Sequence, residues 1–295
     1  MLSNCPLCGG KAGKSSFPYS KKWNGKQFNY CKCIACQSTF IDPMPDAADF
    51  ELIYSKSAYH DVHYSNVAFS AAQQSIARVL PGLKVGLTML DFGCGNGGFL
   101  VAAKEAGFVC TGVEYEKSAR EAASTNSGCP VSSLDELIKT NAKFDVIHLG
   151  DVLEHLPNPA EMIILLSKLL SAEGKFYIEG PLETNPSVVR WAVVLFASIK
   201  KMLGRDLPGT TPPTHLFMTN AKAQLEFFAR RMGYQSIAYF IYETGWPYLN
   251  TGHKDHGLGS VLIKRPVGRV AVMASYLFPV LGNRFIGLFQ PKSVS

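Results

Sequence analysis

The chain has 295 residues, 47% of them hydrophobic and 18% charged, which is ample material for a buried core and excludes global disorder. Its 29 Lys and Arg exceed its 23 Asp and Glu, giving a formal net charge of +6, so anionic surroundings are favoured: nucleic acid, an anionic bilayer face or a phosphorylated substrate. No charged-plus-apolar leader opens the sequence, and a cytoplasmic protein, with peripheral contact at the inner membrane face as an option, is the expectation.

Five of the eight cysteines precede residue 37, a clustering that in a reducing compartment reads as metal ligation rather than disulfide pairing. Cys5-Pro6-Leu7-Cys8 and Cys33-Ile34-Ala35-Cys36 are two C-x-x-C knuckles. Each sets two thiolates on one tight turn, with Gly9 suited to a positive φ. Cys5, Cys8, Cys33 and Cys36 together predict a closed tetrahedral Zn2+ site, which has no open position for substrate and so serves folding rather than chemistry. Cys31 is a fifth candidate, but Cys31-Lys32-Cys33 has the wrong spacing for a knuckle; Cys94, Cys110 and Cys129 are scattered and read as structural. Between the knuckles, Lys11, Lys14, Lys21, Lys22 and Lys26 with Phe17, Tyr19, Trp23 and Phe28 would suit a nucleic acid strand. The preferred reading is a hairpin whose aromatics cover a small core, so nucleic acid is not the expected partner.

Asp42-Pro43-Met44-Pro45-Asp46 breaks periodicity and bounds a zinc-binding ribbon at residues 1–45. Residues 46–82 read as a linker carrying a docking helix, 66–80, stopped by Pro81-Gly82. From residue 87 strand-like runs (87–92, 108–114, 131–133, 144–149, 175–179) alternate with helical patterns (98–106, 117–126, 134–140, 159–170). That rhythm predicts an α/β domain over residues 83–265, a parallel sheet with helices on both faces. Ligands of such sheets sit beyond the carboxyl ends of the strands.

The first such loop is Asp91-Phe92-Gly93-Cys94-Gly95-Asn96-Gly97-Gly98. Its glycines let a strand turn into a helix and let a ligand approach bare backbone. Asp91 at the strand end would repel a pyrophosphate but suits the ammonium and sulfonium charges of S-adenosylmethionine. Glu114 ends the second strand, where an acid can accept hydrogen bonds from both ribose hydroxyls; Tyr115 follows it. Ser133 and Leu134 offer an edge for the adenine, although Ser132-Ser133-Leu134-Asp135 is also a good helix N-cap sequence.

Asp91-x-Gly93-x-Gly95-x-Gly97, Glu114, Phe144-Asp145-Val146-Ile147 and Asp151-Val152-Leu153-Glu154-His155-Leu156-x-Asn158-Pro159 resemble, in order and spacing, successive motifs of the class I S-adenosylmethionine-dependent methyltransferases across residues 85–265. The resemblance implies a Rossmann-like seven-stranded methyltransferase sheet whose seventh strand runs antiparallel beside the sixth, with 235–242 and 260–264 as candidates. It implies S-adenosylmethionine held by Asp91, Gly93, Gly95, Asn96, Glu114, Tyr115, Ser133, Leu134, Gly150 and Asp151. The knuckles ahead of the core resemble the subgroup acting on nucleotide-linked sugars and other small molecules, so the expected acceptor is an oxygen or carbon of a saccharide or glycan intermediate. In sugar C-methyltransferases histidines stand at the positions matched by His155 and His215, and either is expected as the catalytic base. The longer histidine- and tyrosine-rich motif and large C-terminal domain of that subgroup have no counterpart here, which weighs against C-methylation. Asp151, Glu154, His155 and His215 also resemble the set used by metal-assisted 2′-O-methyltransferases of small RNAs and by quinone-precursor O-methyltransferases, which usually carry Glu where Asp151 stands. A non-catalytic module that merely binds the cofactor is the rival outside enzymes.

Two apolar segments stand apart from these motifs. Residues 188–203 carry only Arg190, Lys200 and Lys201 as charges, and the tail 266–295 contains an uncharged stretch, 270–283. It is shorter than the ~20 residues a bilayer span needs. Packing in the core or in a homodimer is favoured over contact with a membrane interface, which the basic flanks Lys264, Arg265, Arg269 and Arg284 would suit.

Overall fold

The computed structural model describes residues 4–54, 66–84, 86–204, 209–245, 249 and 258–292. The chain divides into two compact units: Met1–Met44, Gly180–Phe227 and Phe240–Phe285 form the first, and Pro45–Glu179, Phe228–Tyr239 and Ile286–Ser295 the second.

The first unit opens with a hairpin. Strands β1 (Ala12–Trp23) and β2 (Lys26–Cys33) are antiparallel, Trp23 pairing with Lys26 across Asn24-Gly25. Asn24 and Gly25 have φ of 50° and 72°, the left-handed pair that matches a two-residue turn to the twist of its strands. β3 (Thr39–Asp42) continues the meander, and Phe28, Tyr30, Phe40 and Ile41 are buried. Of the four aromatics that the sequence offered as cover, Phe28 is buried, while Phe17, Tyr19 and Trp23 are half-buried.

The second unit begins at α1 (Ala47–Tyr54), where Asp46 and Asp49 exchange backbone-to-carboxylate hydrogen bonds of 3.1 and 2.9 Å, and α2 (Asn66–Val79), which stops at Leu80-Pro81-Gly82. The alternation follows: β4 (Thr88–Phe92), α3 (Gly98–Glu105), β5 (Val109–Val113), α4 (Lys117–Ser127), β6 (Val131–Ser132), α5 (Leu134–Lys139), β7 (Phe144–Gly150), α6 (Pro159–Ser167) and β8 (Leu170–Pro181). β4 pairs in parallel with β5 and β7, β5 with β6, and β7 with β8. Met89, Leu90, Val146, Ile147, Leu149, Phe176 and Ile178 are buried, which is why these strands read as continuous apolar runs.

Back in the first unit, α7 (Val188–Met202) is capped by Ser187 and β9 (Phe217–Met218) adds to the edge of β3. α8 (Ala221–Glu226) is capped by Asn220. β10 (Tyr234–Tyr242), α9 (Leu258–Leu277) and β11 (Arg284–Pro291) complete the chain. The large sheet has seven strands in the order β10-β11-β8-β7-β4-β5-β6. The strand expected at 260–264 lies instead in α9; a short run such as Ser-Val-Leu-Ile-Lys cannot be told from a helix by pattern alone. The seventh strand comes from the apolar tail, where Phe285, Ile286, Leu288 and Phe289 are buried and Phe228 stacks on Phe289 at 4.1 Å between ring centroids. The rest of the apolar material is not packed into the core: α7 and α9 carry many exposed large side chains.

Candidate functional site

The four knuckle thiols converge. The sulfurs of Cys5, Cys8, Cys33 and Cys36 all lie within 4.8 Å of one another, with Cys5 to Cys36 at 3.7 Å and Cys8 to Cys33 at 3.5 Å. Zinc–thiolate bonds of about 2.3 Å in a tetrahedron put sulfurs ~3.8 Å apart, so the donor set fits such an ion. Both knuckles end in a left-handed residue, Gly9 at φ 73° and Gln37 at 63°. The hydrogen bond between Cys5 and Cys36 pushes the Cys5 thiol well above its ordinary range and pulls Cys36 down to about 5. Cys31 is buried outside the set. Lys21, offered in sequence as a contact for nucleic acid, donates its ammonium to the Pro212 carbonyl at 3.0 Å, and burial lowers its pKa.

In the second unit the loop between β4 and α3 holds Gly93, Gly95 and Gly97 at φ of 80°, 54° and 86°. A Cβ on Gly93 would lie 2.6 Å from Val152, and one on Gly97 2.8 Å from the Ala123 carbonyl oxygen. Asn96 accepts from the Gly98 amide at 3.3 Å, steadying the start of α3. Glu114 is buried at the end of β5; its Oε2 accepts from the Gly95 amide at 2.9 Å and its Oε1 from the Tyr115 and Glu116 amides at 2.7 and 3.2 Å. It therefore holds the glycine loop, a duty the sequence did not reveal.

Asp91 is 2% exposed, its Oδ1 2.7 Å from His148 Nδ1. Its Oδ2 is buried with no hydrogen-bond partner among the described residues, and a buried carboxylate oxygen left so is costly. His148, in the middle of β7, places Nε2 3.3 Å from Glu179 Oε1 and stacks on Phe99 at 3.6 Å between centroids. Ser75 donates to Glu179 Oε2 and also bonds the Tyr177 hydroxyl. Burial alone would strip the His148 proton, but the charges of Asp91 and Glu179 and their hydrogen bonds outweigh it and lift the imidazole to about 9. Sequence reasoning missed this chain of Asp91, His148, Glu179 and Ser75. The available signal was a histidine flanked by Ile147 and Leu149 in a strand otherwise suited to burial on both faces.

The remaining expected residues fall as follows. Tyr115 is 82% exposed. Ser133 caps α5 in a reciprocal capping box with Glu136, the alternative its sequence left open, and Leu134 is half-buried beside it. Asp151 is exposed at φ 52° and donates its amide to the Glu179 carbonyl at 3.0 Å. Gly150 is forced by its neighbour: a Cβ there would meet His148 Cε1 at 2.7 Å. Gly150→Ala is accordingly expected to destabilise the protein by about 1–3 kcal/mol through overpacking, read as a lowered urea midpoint. An unchanged midpoint would mean that the His148 ring has room to move. His155, in the second unit, lies 4.0 Å from Glu154. His215, in the first, lies with Nδ1 3.1 Å from Glu183 Oε2, and its carbonyl accepts from the Tyr30 hydroxyl at 3.5 Å. Glu183 was not singled out in sequence.

The chain is 30% identical over 155 residues to the ubiquinone biosynthesis O-methyltransferase of Saccharophagus degradans, an alignment spanning 47% of this chain and 64% of that enzyme. It is 27% identical over 182 residues to the corresponding enzyme of Nitrosococcus oceani, spanning 59% and 71%. In fold it is similar to the crystal structure of the cyclase SpnF, with a TM-score of 0.50 and 15% identity over 79% of this chain and 84% of that one. Residues 64–238 match the methyltransferase domain family, a stretch that contains the glycine loop, Glu114 and the Asp151 to Pro159 motif. The chain thus belongs to the methyltransferase domain family, as a class I S-adenosylmethionine-dependent methyltransferase.

Proposed function

We propose that the protein transfers a methyl group from S-adenosylmethionine to a hydroxyl oxygen of a small-molecule acceptor. The observation that carries this reading is the divided carboxylate of Asp91, one oxygen spent on His148 and the other buried without a partner beside a loop of three left-handed glycines. The cofactor's ammonium would supply the missing donor, and the one lone pair that Glu114 retains, on Oε2, would accept from a ribose hydroxyl. When bound, the cofactor supplies an electrophilic methyl for in-line displacement. The chain's own part is to aim the acceptor oxygen and take its proton. His155 and His215 are the bases proposed for that step. The charge of Glu183, whose Oε2 lies 3.1 Å from His215 Nδ1 outside hydrogen-bonding geometry, would favour the imidazolium that forms when His215 takes the proton. Cys5, Cys8, Cys33 and Cys36 would hold a structural Zn2+.

The relatives are named for O-methylation in ubiquinone biosynthesis, which supports a phenolic quinone precursor as the acceptor. The four-thiol module supports a nucleotide-linked saccharide through the subgroup it resembles. Oxygen is the atom common to both. Calorimetric titration with S-adenosylmethionine, followed by labelled methyl transfer to both acceptor classes, tests the reading. Glu114→Ala is expected to weaken cofactor binding by about 1–3 kcal/mol, and unchanged affinity would remove the site assignment. His155→Ala and His215→Ala should leave that affinity intact; undiminished turnover in both would remove the base. Binding without transfer to either class leaves a cofactor-binding module.

A further inference from the structure

We propose that α7 and α9 form a docking surface for an anionic lipid bilayer. The two helices belong to one unit and pack against each other. On α9 the amphipathicity is inverted. Gly268, Ala271 and Ser275, all small, are buried on α9, while Val270, Met273, Tyr276, Leu277 and Phe278 are exposed, Tyr276 by 88%. On α7 the exposed stripe is Trp191, Leu195, Ile199 and Met202, spaced by four, four and three residues, with Met202 at 87%. Soluble surfaces rarely leave contiguous apolar side chains of this size uncovered without a partner.

Charge identifies the partner. Across 188–203 and 258–283 there are six basic residues, Arg190, Lys200, Lys201, Lys264, Arg265 and Arg269, and no acidic one. Removing these six from the 29 Lys and Arg leaves 23 against 23 Asp and Glu, so the entire formal net charge of the protein resides on this pair of helices. Lys200, Lys201, Arg265 and Arg269 are exposed. Exposed apolar side chains, Trp and Tyr among them, on helices that also expose Lys200, Lys201, Arg265 and Arg269 match the chemistry of a negatively charged headgroup layer. A second copy seated face to face would set the four exposed cations against four and be repelled. No helix among the described residues is long and apolar enough to cross a membrane, so the helices lie on the bilayer rather than span it. An acceptor dissolved in that bilayer would be met at its surface.

The test uses the full chain, with its metal, sedimented with phosphatidylcholine vesicles with and without phosphatidylglycerol. Retention is expected only on the anionic vesicles and should fall as salt is raised. Arg265→Gln with Arg269→Gln should lower partitioning roughly 25-fold, taking ~1 kcal/mol for each cation. Met202→Glu with Tyr276→Glu, at positions that contribute little to packing, should lower it by at least about ten-fold. Unchanged circular dichroism and cofactor affinity in these variants separate a docking defect from misfolding and from failure of the methyltransferase reading. Equal retention on both vesicle types, no retention, or a dimer that the same substitutions dissociate would each overturn the proposal.

Discussion

Cys33→Ser is expected to abolish stoichiometric zinc and to unfold the N-terminal sheet. The sulfurs of Cys5, Cys8, Cys33 and Cys36 already lie at the spacing of a tetrahedral thiolate site. The hairpin they close buries little apart from Phe28, Tyr30, Phe40 and Ile41. Small modules of this kind draw most of their stability from the metal, with apparent binding energies of about 10–16 kcal/mol for structural zinc in finger peptides near neutral pH. Losing one thiolate forfeits a large part of that. Metal content by mass spectrometry and limited proteolysis between β1 and β3 would report it. Wild-type protein purified without chelator but free of zinc would end the assignment, whereas Cys31→Ser should change neither readout because Cys31 lies outside the converged set.

The second large effect is expected at His148. Its imidazole is held between Asp91 and Glu179, and its folded pKa of about 9 exceeds the ordinary value of 6.5. A group raised in this way contributes its full stabilisation below the unfolded pKa and loses it as pH rises through the folded one. The window is therefore pH 6.5 to about 9, and the gap is worth about 3 kcal/mol. Removing the imidazole also leaves two carboxylates facing each other in a buried site, which typically costs about 3–5 kcal/mol. Chemical denaturation at pH 6 and pH 9.5 should show wild-type stability falling by this order of magnitude. His148→Gln should start lower and vary less. Parallel pH curves for the two proteins would show that the imidazole is neutral in the folded state.

Much of the architecture was legible because local and global signals agree. Pro81-Gly82 ends α2, and Ser187 and Asn220 cap the helices that follow them. The apolar residues of β4 and β7, Met89, Leu90, Val146, Ile147 and Leu149, are consecutive or nearly so because both faces of these strands are covered. Helix and strand compete where the run is short: Ser260 to Lys264 alternates plausibly for a strand, but the backbone continues as a helix through Leu277.

The candidate site divides along the same line. Chemistry written in adjacent residues could be read directly: the two knuckles, the glycine loop with its terminal acid, Glu114 and the Asp151 to Pro159 motif all depend on spacing within a few positions. Partnerships between distant residues could not. Glu114 supporting Gly95, His148 joined to Asp91 and Glu179, and Glu183 beside His215 are set by strand register and by how separate segments pack, to which local spacing is blind. The charge of α7 and α9 was present in the composition, but only tertiary structure decided that the small residues of α9 face inward and that large apolar residues of both helices are exposed. By itself the sequence determined the fold class, the four-thiol module and the family. The polar network beneath the cofactor loop and the exposed basic-apolar surface were decided by tertiary structure, because each depends on which side chains the packed chain brings together or leaves uncovered.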